Sequence, residues 1–295
     1  MTGHAHLLLP LSSGFIFALG AIFSKRAMTA GIGPWRMTVV NAWVSALAFL
    51  PLLLIKPGTG AAISFPLYQP VLLGAMSLAG NLLLFLALSR GDASVATPLV
   101  GVKVVIVALL TVVVLGDTIP LTWWAGAVVS VLGMLLLRPL ASSGRQALGW
   151  TVVWSLASAT TFATGDLLVQ GWVTPANFPR FIPMMFGAHA VLAGALIPLF
   201  REGLLGLDAR TWKALLAGAL CMALQGLLFI FALSKYGHAT AMNIAYTTRG
   251  LWSVVLVWLG GRALAGEESE IEGRVMASRL IGASLLLVAV VLVLL

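Results

Sequence analysis

Residues 86–99 read LALSRGDASVATPL, and residues 231–245 read FALSKYGHATAMNIA. Each stretch carries an apolar run into a serine and a cation, turns at a glycine, and resumes with small and apolar residues. The likeness extends in both directions. Upstream, SGFIFALGAIFSK (residues 13–25) lines up with SATTFATGDLLVQ (158–170) at a spacing of 145, which sets Ala21 against Asp166. Downstream, one residue inserted at the hairpin brings Lys103 into register with Arg249. The chain reads as two copies of one unit, residues 1–140 and 141–295.

Composition says what solvent the unit is built for. The 295 residues are 60% hydrophobic and only 9% charged, with a mean hydropathy of +1.06. That is too little polar material to cover a water-soluble globule, so the lipid bilayer is the natural environment. A span needs about 20 largely apolar residues. Such segments fall at roughly 7–27, 35–55, 69–89, 95–115, 120–138, 147–170, 178–200, 211–233, 238–260 and 278–295. The expected fold is an all-α polytopic membrane protein, with ten transmembrane helices in two inverted five-helix repeats. Inversion follows from the odd number of spans per unit, which turns the second copy upside down. That architecture is common among secondary transporters.

Several function classes lose support at this point. The chain has no HExxH, no GxSxG and no pair of intramembrane aspartates, so an intramembrane enzyme lacks its constellation. It has no Walker A loop and no basic tract of the kind that binds nucleic acid. A channel calls for a ring or a carbonyl filter, whereas an inverted repeat points to alternating access. No cofactor and no metal are expected: Cys221 stands alone and reads as core packing, and His4 with His6 offers only two ligands. The first apolar segment lacks a basic leader region and reads as a span rather than a cleaved signal. Monomer and homodimer are equally compatible with the sequence.

The hairpin residues Ala87, Leu88, Gly91, Ala93, Ser94, Ala96, Pro98 and Leu99 form one family signature, and LGDTIPLTWWAGAVVSVLG (115–133) forms a second. Both resemble the drug/metabolite transporter superfamily, specifically its ten-helix EamA-like group. Lys25 matches the family's lysine near the end of the first helix, and Asp117 stands where the family usually has Glu. The resemblance covers nearly the whole chain. It is strong in the first half and looser in the second, where LGGRALAGEESEIEGRVMASRLIG (259–282) has lost the compact acidic turn. It implies a multi-pass carrier of the plasma (inner) membrane for small polar metabolites or drugs, often an exporter. The motifs are mostly Gly, Ala and Pro, which serve helix packing and turns rather than substrate choice.

Substrate clues come instead from polar residues at membrane depth. Arg249 lies near the middle of the ninth segment, where facing lipid would cost several kcal/mol, so it is expected to face the bundle interior. Asn243, Tyr246, Gly250 and Ser253 flank it at helical steps on one polar face. Lys103 sits mid-way along the fourth segment, and the repeat brings it toward the same central cavity. The one deep carboxylate is Asp166. Two cations against one acid leave a site that attracts anions, which points to a carboxylate- or phosphate-bearing substrate. Relatives that carry phosphorylated sugars and organic anions also place basic residues on the corresponding helices. The competing reading is an exporter of neutral or cationic compounds, with Arg249 and Lys103 in structural ion pairs. Asp166 has three readings: neutralising a cation, taking up a proton to couple transport, or a local role. His189 is either a proton carrier or a helix-interface group. Asn81 and Gln225, at nearly matching repeat positions, either line the cavity or tie helices together.

Orientation follows from charge. Lys25, Arg26, Arg36, Arg90, Arg138, Arg145, Arg201, Arg210, Lys213, Arg262, Arg274 and Arg279 fall on one side, against Lys56, Lys235 and Arg180 on the other. The positive-inside rule then places both termini outside, whereas the family resemblance implies termini inside. The charge count predicts that a terminal reporter active only outside the cytoplasm will be active. A terminal fusion that works only in the cytoplasm reverses the assignment.

Overall fold

The computed structural model describes residues 5–55, 65–90, 99–137, 145–199, 207–256 and 273–295. Among these residues the regular elements are all helical. They are α1 (Leu8–Thr29), α2 (Pro34–Phe49), α3 (Tyr68–Arg90), α4 (Lys103–Leu110), α5 (Leu121–Leu136), α6 (Arg145–Trp172), α7 (Phe178–Gly194), α8 (Ala209–Tyr236), α9 (Ala239–Tyr246) and α10 (Gly273–Leu294). The turn of the first hairpin (91–98), the acidic run at Glu267, Glu268, Glu270 and Glu272, and Trp258 lie outside the described residues.

Helix ends follow the expected breakers. Gly33 and Pro34 open α2, with proline at a position where its missing N–H costs nothing. Asp208 caps α8 by accepting hydrogen bonds from the backbone N–H groups of Arg210 and Thr211. Beyond α4 the chain widens into a π-helical turn, Thr111–Leu115, which ends at Gly116 with φ of 71°. Among the described residues five helices are long and apolar enough to cross a membrane: Leu8–Thr29, Pro34–Leu54, Tyr68–Ala87, Gly149–Trp172 and Ala209–Tyr236. Leu99–Leu115, Leu121–Leu136 and Ser278–Leu294 are shorter apolar helices.

The largest helix contacts join the first half of the chain to the second. α1 packs along α8, α3 along α6, and α5 along α10; α2 meets α7 and α4 meets α9. Exchanging each helix for the one five places away turns the α1–α8 packing into α6–α3, and leaves α5–α10, α2–α7 and α4–α9 unchanged. Individual bonds obey the same exchange. Ser13 Oγ donates to the Gln225 carbonyl at 2.8 Å, and Ser158 Oγ donates to the Gly80 carbonyl at 2.9 Å. Ser158 lies 145 residues after Ser13, and Gln225 lies 145 after Gly80.

Where α5 crosses α10 the backbones approach through glycine. A Cβ placed on Gly133 would lie 2.9 Å from the Gly282 carbonyl oxygen, and one on Gly282 would lie 2.6 Å from the Gly133 carbonyl oxygen. Small residues let helices pack this closely in a membrane, where lipid offers no hydrophobic drive to hold them together.

Two features depart from the sequence expectation. The ninth segment is not one continuous helix: α9 stops at Tyr246, a turn occupies Thr247 and Thr248, and helix resumes over 249–256. The threonine hydroxyls explain the break, since Thr247 Oγ1 bonds the Ile244 carbonyl at 2.6 Å and Thr248 Oγ1 the Ala245 carbonyl at 2.8 Å. Gly14 of α1 fits against this turn, where a Cβ would come within 3.2 Å of the Arg249 backbone nitrogen. Second, Arg36 and Arg279, both counted above as loop-side charges, are only 4% and 8% exposed. They are packed among helices rather than free in a loop.

Gly282→Val is expected to push α5 and α10 apart and to lower stability by ~1–3 kcal/mol, the usual range for overpacking. Thermal unfolding in detergent measures this, and an unchanged midpoint would show that the crossing is not tightly packed.

Candidate functional site

Lys103 and Arg249 each follow directly on a helix irregularity. Lys103 begins α4 after the turn residue Val102, and Arg249 begins the 249–256 stretch after Thr248. Both line one small cavity, together with Val100, Gly101, Val104, Asn243, Tyr246 and Thr247. The cavity has room for about one water molecule. A metabolite would enter only after the surrounding helices separate.

The two cations are held differently. Lys103 Nζ lies 2.7 Å from Asp166 Oδ2, with the two side chains only 11% and 13% exposed. Asn243 Nδ2 donates to the same carboxylate oxygen at 2.7 Å, and also to the Ala239 carbonyl at 2.9 Å. Lys103 Nζ sits over the rings of Phe229, Phe162 and Tyr246, at 5.1, 5.7 and 6.0 Å from their centroids. An ammonium so placed replaces its lost hydration with one ion pair and three ring faces.

Arg249 has the rings without the acid. Its Cζ lies 4.7 Å from the Phe17 ring centroid and 4.8 Å from that of Tyr246. The residue is 8% exposed, and its Nε has no hydrogen-bond partner. Among the described residues, the carboxylates are Asp117, Asp166 and Asp208, and none forms an ion pair with Arg249.

Tyr246 is braced from behind. Its hydroxyl donates to Gln225 Oε1 at 2.8 Å, an atom that also lies 3.3 Å from Ser13 Oγ. Gln225 Nε2 donates to the Met222 carbonyl at 3.1 Å. With both ends of its amide engaged, Gln225 positions Tyr246 in this arrangement and does not face the cavity. At the entry to α9, Gln170 Oε1 accepts from the Ala239 N–H at 2.8 Å, so α6 caps the helix that carries Asn243 and Tyr246.

Two of the residues proposed from sequence stand apart. Asn81 donates to the Ser77 carbonyl of its own helix at 2.8 Å and does not line the cavity. His189 is fully buried on α7, against Phe186. Neither of its ring nitrogens has a hydrogen-bond partner, so it is not paired with Asp166. The backbones of α3 and α7 approach closely there, since a Cβ on Gly74 would meet the His189 nitrogen at 3.0 Å. Sequence reasoning missed Phe17, Phe162 and Phe229. Phe17 and Phe162 nonetheless align at the spacing of 145, one less than the 146 residues that separate their cations Lys103 and Arg249.

The comparisons with known proteins bear on the fold and the family. The model of the EamA-like transporter family matches residues 5–138. No curated protein matches the sequence. One solved crystal structure, described only as that of a protein, superposes with a TM-score of 0.78. The match covers 98% of this chain and 95% of the other at 14% identity, a likeness of fold. The first half of the chain is thus similar to the EamA-like transporter family, which is consistent with the drug/metabolite transporter superfamily. With its long apolar helices the chain has the makings of a multi-pass membrane protein, and over residues 5–138 it is similar to a family of transporters.

Tyr246→Phe removes the hydroxyl that reaches Gln225 but keeps the ring over Arg249. It should lower stability by about 0.5–1.5 kcal/mol, the net worth of one hydrogen bond. Thermal unfolding checks it, with no change showing that the bond contributes nothing.

Proposed function

We propose that this protein is a secondary transporter that carries a small anionic metabolite, with Arg249 as the group that recognises the anion. The observation that carries the reading is the buried guanidinium at 8% exposure, flanked by the Phe17 and Tyr246 rings and unmatched by a carboxylate among the described residues. A buried charge left in this way is strongly destabilising unless a mobile partner neutralises it. The planar fork of a guanidinium suits carboxylate or phosphate oxygens. Lys103 is already neutralised by Asp166, which favours a structural ion pair at that cation but not at Arg249.

Transport is then alternating access by two inverted five-helix repeats, residues 1–140 and 141–295, within ten spans. The exchange-invariant helix packing and the Ser13 and Ser158 bonds support that architecture. The orientation that fits the charge count has both termini outside, in the inner membrane. Export is the direction that the family resemblance favours.

The test is saturable, counterflow-capable flux of organic anions in proteoliposomes. Arg249→Gln should abolish anion flux in a protein that still purifies as a single species. Arg249→Lys keeps the charge but loses the planar fork, and should weaken anion binding by about tenfold or more. Selective binding of lipophilic cations, indifferent to both changes, would remove the anion reading. Linear, non-saturating flux would point to a channel.

A further inference from the structure

The two cations of the cavity sit in repeat-related settings that differ at one position. On α6, Phe162 lies under Lys103 and Asp166, four residues on, forms its ion pair. On α1, Phe17 lies under Arg249 in the same way. Four residues on from Phe17 is Ala21, the register partner of Asp166. Residues four apart share a helix face, and α1 packs on α9 as α6 packs on α4. The place that would neutralise Arg249 therefore holds a methyl group. One acid is present where the repeat has room for two.

The charge of the cavity follows by counting. Lys103 and Arg249 line the cavity and contribute two positive charges, Asp166 contributes one negative through its pair with Lys103, and among the described residues no other charged residue lines the cavity. The sum is +1 wherever the proton lies within the Lys103–Asp166 pair, because that pair is neutral either way. A guanidinium does not deprotonate in proteins. Each uncompensated charge in a site of low dielectric is costly.

Resting on the anion reading above, we propose that the Asp166/Ala21 asymmetry sets the substrate's charge. The site is matched to a small monoanion, such as a monocarboxylate, which closes it as a neutral complex. A dianion leaves one negative charge in excess, and a zwitterion leaves one positive. Asp166 is then a specificity-determining residue that acts through Lys103, without touching substrate.

The experiment is a charge ladder on the full-length protein in lipid nanodiscs at pH 7.5, with binding measured for propionate, succinate and glycine. Wild type should prefer propionate over succinate by about tenfold or more, the scale of one uncompensated charge. Asp166→Asn raises the cavity to +2 and should reverse that preference. Ala21→Asp supplies the missing acid, lowers the cavity to neutral, and should lose both anions while binding glycine at least as well as wild type does. The double variant Lys103→Gln with Asp166→Asn restores +1 without the ion pair and should restore the propionate preference. If Asp166→Asn aggregates, Ala21→Asp and the double variant decide the matter. Anion binding that needs Arg249 but keeps one preference across the ladder overturns the charge-matching proposal alone. Anion binding untouched by Arg249→Gln, or no binding of either anion by wild type, overturns the anion reading and this proposal with it.

Discussion

The structure turns on the cost of taking a cation out of water. Lys103 and Arg249 are 9% and 8% exposed in a protein built for a membrane, where a bare charge at mid-depth is expensive. The surrounding helices are arranged to lower that cost. α6 brings Asp166 and Phe162, α8 brings Phe229, α1 brings Phe17, and α9 brings Asn243 and Tyr246. Gln225, Gln170 and Ser13 matter one layer out, because they hold those groups in place. The small residues of the fold serve the same end. Gly14 admits the turn that presents Arg249, and Gly133 with Gly282 lets the two halves close at the α5–α10 crossing.

Much of this was legible in the sequence, for physical reasons. Ten apolar stretches and a spacing of 145 follow from composition and register alone, and the EamA-like match over residues 5–138 bears out the resemblance drawn from the hairpin residues and the 115–133 run. Desolvation cost sufficed to send Arg249 and Lys103 inward. The break at Thr247 and Thr248 was not legible, because a threonine in a helix either points outward or back-bonds its own carbonyls, and only packing decides. For the same reason Asn81 and Gln225, alike on paper, diverge. One bonds its own helix, while the other spends its amide on Tyr246 and Met222. His189, read from sequence either as a proton carrier or as a helix-interface group, lies against Phe186 at the close α3–α7 contact. Phe17 and Phe162 could have been found, since they align at the spacing of 145 that also sets Ala21 against Asp166.

The two halves align in sequence and differ in chemistry. Ser13 and Ser158 make equivalent bonds, and Phe17 and Phe162 face equivalent cations. Departures from that likeness include Ala21 against Asp166, the partner of Lys103, and Val100 against Tyr246, both of which line the cavity. A repeat supplies two related frameworks, and the residues that differ between them are where a site with one sense of charge and one preferred ligand pose can be written.

Arg249's missing acid has an electrical consequence. On the charge-matched reading, a carrier that holds its substrate is neutral at the centre, while one that has released it carries +1 there. The membrane potential acts on a moving charge with about 2.3 kcal/mol per 100 mV for a full crossing. Voltage would therefore fall on the unloaded return and spare the loaded step. Swapping one anion for another across the bilayer would proceed with little regard to the potential, and only net movement would respond to it.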